Sequence, residues 1–203
     1  MGGALGGYFY LFILWRNLKE DYPSAQIFSI GIQTIIGLFL GGVLAQFLSS
    51  SIHVRFLNAS ELWFWGAFGG FFLVFSILVR RAHMRYWEVF QNAFLGILLA
   101  LFVFLVFLVP SMGMSAIYLV VLVIISLATF LLIQKNYRRF AWYRSGRVGV
   151  AGIIAAAVFF MGRAVIAAMG LPMLSLAGSI DVVASSLVAF LLFFNAYNIS
   201  QTA

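Results

Sequence analysis

The sequence predicts an all-α integral membrane protein with seven transmembrane helices, its amino terminus outside and its carboxyl terminus inside. Of the 203 residues, 65% are hydrophobic and 8% are charged. A soluble domain has about 45–50% apolar and about 25% charged residues, so this chain has too few charges to cover a water-exposed surface. Because apolar segments recur along the whole length, residues 1–203 are expected to form a single transmembrane domain.

Seven apolar segments approach or meet the length needed to cross a bilayer, whose core of about 30 Å requires roughly 20 helical residues. Backbone groups in lipid must be paired internally, and the segments lack the alternating pattern of barrel strands, so each is predicted to be a helix. The first segment is short and has no basic residues before it, so a span is expected there rather than a cleaved signal peptide. The predicted spans are residues 2–15, 24–48, 61–79, 88–109, 114–134, 148–169 and 181–199.

The basic residues divide unequally between the two sets of connecting loops. Ten of the twelve follow the first, third and fifth spans, and only Arg55 lies in a loop on the other side. By the positive-inside rule these three loops are cytoplasmic. The net charge of +7 is therefore interpreted as a topology signal and as contacts with anionic lipid headgroups, and no nucleic-acid partner is expected. The ten residues are Arg16, Lys19, Arg80, Arg81, Arg85, Lys135, Arg138, Arg139, Arg144 and Arg147.

Small residues four positions apart predict close helix packing, as for Gly37 with Gly41 and for Gly66 with Gly70. Trp65, near the outer start of the third span, is interpreted as an interfacial anchor.

The chain has no cysteine, which excludes disulfides, thiolate metal sites and thiol nucleophiles. His53 and His83 lie in loops on opposite faces of the membrane, so they cannot share a catalytic or metal site. No metal constellation, nucleophile triad or phosphate loop can be assembled. No metal and no cofactor are therefore expected.

Arg163 is the outstanding polar residue within the predicted spans. It lies about fifteen residues into the sixth span, in the outer half of the membrane. A charge at that depth costs a few kcal/mol or more unless it finds a partner or reaches the interface. Two interpretations stay open: a side chain that extends to the outer headgroups, or a pocket for a specific lipid or substrate. Asp181 is a candidate partner, although an ordinary interfacial residue is the simpler interpretation of this aspartate. Gly162 leaves room for an acyl chain or another helix.

Several short motifs follow one another along the chain. Residues 6–10 are similar to a Tyr-Gly-x-x-Tyr pattern, whose second tyrosine is Tyr10. Residues 40–44 are similar to Gly-Gly-Arg-Leu, and residues 65–70 are similar to Ser-Phe-His-Gly-Gly. Gly162 and Arg163 match the start of Gly-Arg-Phe-x-x-x-Glu. In this order the motifs resemble those of the bacterial prolipoprotein diacylglyceryl transferases. These seven-helix enzymes of the inner membrane transfer diacylglycerol from phosphatidylglycerol to a cysteine of lipoprotein precursors.

The chain departs from that family where the chemistry is expected. Val43 stands in place of an arginine, Phe68 in place of the essential histidine, and Ala167 in place of an acid. The family signature Gly-Arg-Ile-Gly-Asn-Phe-Ile-Asn-Gly is absent, and the apolar residues 98–109 occupy its region. The transferase must activate a thiol and stabilise a leaving glycerol phosphate, which requires a base and cationic groups. Of these groups only Arg163 remains.

The preferred hypothesis is therefore a non-catalytic, transferase-like protein, a pseudoenzyme of the bacterial cytoplasmic membrane. A lipid-binding site is therefore expected at Arg163, Tyr10, Gly162 and Asp181, with phosphatidylglycerol as the expected lipid. The alternative occupant is a membrane segment of a protein or lipoprotein partner. Two other functions stay open: an active transferase with a remodelled site, and a small transporter or membrane-complex subunit. A transporter usually shows an internal repeat, broken helices or polar groups at mid-membrane, and none is clear here.

Overall fold

The computed structural model describes residues 2–52, 59–112, 114–136, 149–169 and 176–201. Within these ranges the regular structure consists of seven α-helices. Six of the predicted spans fall within one of these helices; the predicted span 148–169 starts earlier than α6, because Gly149 is in a turn and residue 148 lies outside the described residues. The helices are α1 (Gly2–Leu18), α2 (Ser24–Ile52), α3 (Ala59–Arg81), α4 (Tyr86–Met112), α5 (Met114–Asn136), α6 (Val150–Met169) and α7 (Leu176–Gln201).

Six of the helices, α2 to α7, are long and apolar enough to cross a membrane. This confirms a multi-pass helical membrane protein. The remaining helix, α1, has 17 residues and extends about 25 Å at about 1.5 Å per residue, less than a hydrocarbon core of about 30 Å. The crossing of α1 and the orientation of the bundle stay predictions.

The short helix α1 is nevertheless packed into the bundle along α4. The ring of Tyr10 lies against Gly96, and Nδ2 of Asn17 donates a hydrogen bond to Oδ1 of Asn92 at 2.9 Å. Tyr10 contacts Gly96 and the later Asn17 contacts the earlier Asn92, so the two helices are antiparallel.

The predicted glycine packing is confirmed between α2 and α3. A methyl group added at Gly66 would collide with the carbonyl oxygen of Gly41 and the side chain of Ala45. One turn further along, a methyl group at Gly37 would lie 3.0 Å from the carbonyl oxygen of Gly70. The two backbones therefore touch, which is the role that small residues four apart usually have in membranes.

Helix α6 is the most enclosed of the six apolar helices, with 61% of its span buried compared with 50% or less for the others. The turn before the start of α6 contains Gly149, whose φ of +111° is a conformation that favours glycine. The Gly149 N–H donates to Oε1 of Gln91 on α4 at 2.9 Å. Apart from Ala164, the buried residues of α6 lie between Val150 and Phe160, so Arg163 follows the enclosed part of the helix.

Candidate functional site

Arg163 is directed into the bundle and not out through the lipid. Met161, Val165 and Met169 form the exposed side of the outer part of α6. At about 100° per residue, Arg163 lies on the opposite side of the helix from these residues. Only 15% of its side chain is exposed. Of the two sequence-based interpretations, the structure therefore disfavours a side chain that extends through lipid to the outer headgroups.

Asp181 of α7 forms an ion pair with Arg163. Its Oδ1 lies 3.0 Å from Nη2 and 3.3 Å from Nε of the arginine, and its side chain is 5% exposed. Interpreting Asp181 as an ordinary interfacial residue is therefore wrong, since the carboxylate is enclosed between helices. The pair supplies the compensation that a charge in the membrane requires.

Trp65 of α3 is the third member of this site. Its Nε1–H donates a hydrogen bond of 2.7 Å to the same Oδ1 of Asp181. Interpreting Trp65 only as an interfacial anchor missed this contact. The predicted spans begin at residues 61 and 181 and so placed Trp65 and Asp181 at different depths, whereas the helix ends of the structure bring all three residues to a similar depth. Arg163 lies six residues before the end of α6, Asp181 five after the start of α7, and Trp65 six after the start of α3.

Aromatic rings hold the guanidinium from the side of α3. The Arg163 guanidinium carbon lies 3.7 Å from the centroid of the Phe64 ring, a distance suited to a cation–π interaction. We define the aromatic cluster as Phe64, Trp65, Phe68 and Phe160. Phe160 of α6 contacts the other three rings at centroid distances of 4.9 to 6.3 Å. Since Phe160 and Arg163 lie on one face of α6, the cluster and the ion pair form one continuous contact between α3 and α6.

The guanidinium retains hydrogen-bonding capacity after these contacts. Arginine carries five N–H donors in a planar fork, and Asp181 receives one from Nε and one from Nη2. Within the part of the chain that the structure describes, Asp181 is the hydrogen-bond acceptor of this side chain. The end of the fork, formed by Nη1 and the second N–H of Nη2, is thus directed away from the carboxylate. That end can donate two parallel hydrogen bonds to an anion such as phosphate.

The other two predicted site residues do not join this group. Tyr10 is 3% exposed and its hydroxyl lies 2.9 Å from Oγ1 of Thr34 on α2, so it is enclosed among α1, α2 and α4. Gly162 faces α5, because a methyl group there would collide with Leu122. The space expected beside Gly162 is therefore occupied by a helix of this chain and not by an acyl chain.

The position that resembles the transferase histidine lies inside the aromatic cluster. The ring of Phe68 meets that of Phe160 edge-on at 4.9 Å. A hydrocarbon ring cannot accept a proton, so this position cannot act as the base that thiol activation requires. The position that resembles the family arginine, Val43 on α2, is 58% exposed and faces away from the bundle.

Among the described residues, no group of three or more His, Asp or Glu side chains is arranged to hold a metal ion. Comparisons with protein-family models, with curated proteins and with solved structures found no match to this chain.

Proposed function

We propose that this multi-pass membrane protein is a non-catalytic relative of the prolipoprotein diacylglyceryl transferases that holds a phospholipid at Arg163. The observation that supports this proposal best is the inward-facing guanidinium, held by Asp181 and Phe64 with the end of its fork unused by the carboxylate. The relationship itself is supported by the order of the short motifs along the chain.

Phosphate is the ligand group that suits this arrangement best. A guanidinium binds phosphate through two parallel hydrogen bonds, and its charge strengthens both. Asp181 and Phe64 keep the guanidinium in one orientation, so little side-chain freedom is lost when a ligand binds. A phospholipid supplies the phosphate at membrane depth. A partner's membrane segment that offers a carboxylate to the same fork is the second occupant that this geometry allows.

The absence of catalysis is proposed from the chemistry of the replaced positions. Thiol activation requires a proton acceptor, and stabilisation of a leaving phosphate requires cations. Phe68, Val43 and Ala167 supply neither of these functions. An active transferase would need its base from a position that the family does not use.

The proposed orientation places this site in the outer half of a bacterial cytoplasmic membrane. The loops of one side contain ten basic residues, whereas those of the other side contain only Arg55. By the positive-inside rule this asymmetry supports an outside amino terminus. With α1 as a seventh crossing, the end of α6 and the starts of α3 and α7 all lie on the outer side. Lipids of the outer leaflet would then have the shortest path to Arg163.

Lipid retention in native mass spectrometry tests the proposal. Wild type and Arg163→Leu are compared in one detergent with an equimolar mixture of phosphatidylglycerol and phosphatidylethanolamine of matched acyl chains. A hydrogen bond to a charged group contributes about 1.5–3 kcal/mol, so loss of the fork should reduce total retention by about tenfold or more. Arg163→Lys should retain an intermediate amount, since lysine keeps the charge and loses the fork.

The matched control is Arg81→Leu, the same replacement at an exposed arginine at the opposite end of α3 from Trp65. This variant should lose far less lipid than Arg163→Leu, because nine other basic residues remain in the loops of that side. Equal retention by wild type and Arg163→Leu would refute the proposed function and leave the ion pair with a purely structural role.

A further inference from the structure

The ion pair determines the charge of the site before any lipid binds. Arg163 contributes one positive charge and Asp181 one negative charge, 3.0 Å apart. Among the described residues no other charged side chain contacts the two. If a phospholipid binds at Arg163, as the proposed function states, it therefore enters a site that is already neutral and not one with an excess positive charge.

The phosphate of an anionic lipid would disturb this balance. Its charge would be attracted by Arg163 and repelled by Asp181, whose side chain is only 5% exposed. Charge interactions are strong where water is excluded, and an uncompensated charge is costly there. Phosphatidylglycerol carries the phosphate charge alone, so it would leave the site with a net charge of minus one.

A headgroup with an ammonium group restores neutrality. In an ethanolamine phospholipid the ammonium is joined to the phosphate by a two-carbon linker, so both charges fit within one site. The phosphate can lie at the free end of the Arg163 fork while the ammonium lies on the side of Asp181. Each of the four charges then has opposite charges as its nearest neighbours.

We propose that the Arg163 site takes an amine-bearing, zwitterionic phospholipid, with phosphatidylethanolamine as the representative, in preference to phosphatidylglycerol. This proposal rests on the proposed function and revises the lipid that the family resemblance implies. Asp181 is the specificity-determining residue, because it pairs with Arg163 and at the same time repels a lone phosphate.

Competition between the two lipids in native mass spectrometry measures this preference. Wild type is mixed with equal amounts of phosphatidylethanolamine and phosphatidylglycerol with identical acyl chains. The ethanolamine lipid should be retained about tenfold more, a conservative expectation for one added favourable charge contact near a protein surface. Asp181→Asn removes the negative charge and keeps an oxygen that can accept the Trp65 hydrogen bond. In this variant the preference should reverse in favour of phosphatidylglycerol.

Asp21→Asn is the matched control, since Asp21 is an exposed acid in the turn between α1 and α2. It should keep the wild-type preference. Equal retention of the two lipids by wild type, or more phosphatidylglycerol, would overturn the inference. If Arg163→Leu still loses lipid in that case, the proposed function stands. A wild-type preference that persists in Asp181→Asn would also overturn the inference, because Asp181 would not be its source. If Asp181→Asn does not fold, the competition between the two lipids for the wild-type protein is sufficient to test the preference.

Discussion

Replacing Arg163 by leucine and Asp181 by asparagine, singly and together, should show that the two residues stabilise the fold as a pair. Arg163→Leu leaves the Asp181 carboxylate with the Trp65 N–H and no cation. Asp181→Asn leaves the guanidinium with the Phe64 ring and a neutral oxygen. The double variant has no charge at this site, while the asparagine that replaces Asp181 can still accept the Trp65 hydrogen bond.

The expected magnitudes follow from the burial of the pair. Removing one partner of a buried ion pair costs about 3–5 kcal/mol, because the other charge is left uncompensated. The side chains are 15% and 5% exposed, so we expect the lower end of that range. Arg163→Leu should lower the free energy of unfolding by about 3 kcal/mol. Asp181→Asn should lower it by about 2, below that range, because the Phe64 ring still faces the guanidinium. The double variant should lower it by about 2 instead of about 5. The coupling energy is then about 3 kcal/mol.

Equilibrium unfolding in mixed micelles of a mild detergent and sodium dodecyl sulfate, followed by tryptophan fluorescence, measures these free energies. Hydrogen bonds between helices of membrane proteins average about 0.6 kcal/mol and reach about 1.7. A coupling above about 2 kcal/mol would therefore identify a charge pair and not an ordinary polar contact. Additive losses, within about 0.5 kcal/mol, would refute the claim that the two residues stabilise the fold as a pair.

Three further predictions concern packing, topology and activity. Gly66→Ala should destabilise the protein by about 1–3 kcal/mol in the same assay, because its methyl group meets the α2 backbone. Gly69→Ala, where the added methyl group meets nothing within 4 Å, should be neutral or up to about 1 kcal/mol stabilising. A cysteine at Ser50 should react with an impermeant thiol reagent in intact cells and one at Ser145 should not; the opposite pattern would reverse the orientation. Expression in a bacterium depleted of the diacylglyceryl transferase should not restore lipoprotein maturation, and growth rescue would show that the site is catalytic.

The helices were predictable because their signal is local. Each apolar segment must pair its own backbone in lipid, so its length and composition alone specify a helix. The basic residues that interrupt these segments also mark the helix ends: α3 ends at Arg81, directly after Arg80. The glycine contacts between α2 and α3 were predictable for the same reason, since the spacing of small residues lies within a single helix.

The site was predictable only in part, because its contacts join distant parts of the chain. The cost of a buried charge identified Arg163 from its depth alone. Trp65 and Asp181 are separated by 116 positions, and no sequence spacing relates them. Tyr10 was included through the family motif, but packing beside Gly96 and a hydrogen bond to Thr34 place it among α1, α2 and α4. A resemblance between motifs does not determine which helices become neighbours.

The side-chain contacts that join α3 to α6 and α7 are also the contacts on which the proposed lipid site depends. Helix α3 packs its backbone closely on α2, and it reaches α6 and α7 mainly through side chains. Long side chains keep α3 and α6 further apart than the touching glycines keep α2 and α3. Phe68 and Phe160 lie deeper in this junction than the ion pair, whereas Phe64 and Trp65 lie beside it. A ligand that displaced Asp181 would leave a carboxylate uncompensated, whereas a ligand that adds to the pair would not. The junction should therefore select ligands that complete the charge pattern of Arg163 and Asp181 and reject those that compete with it.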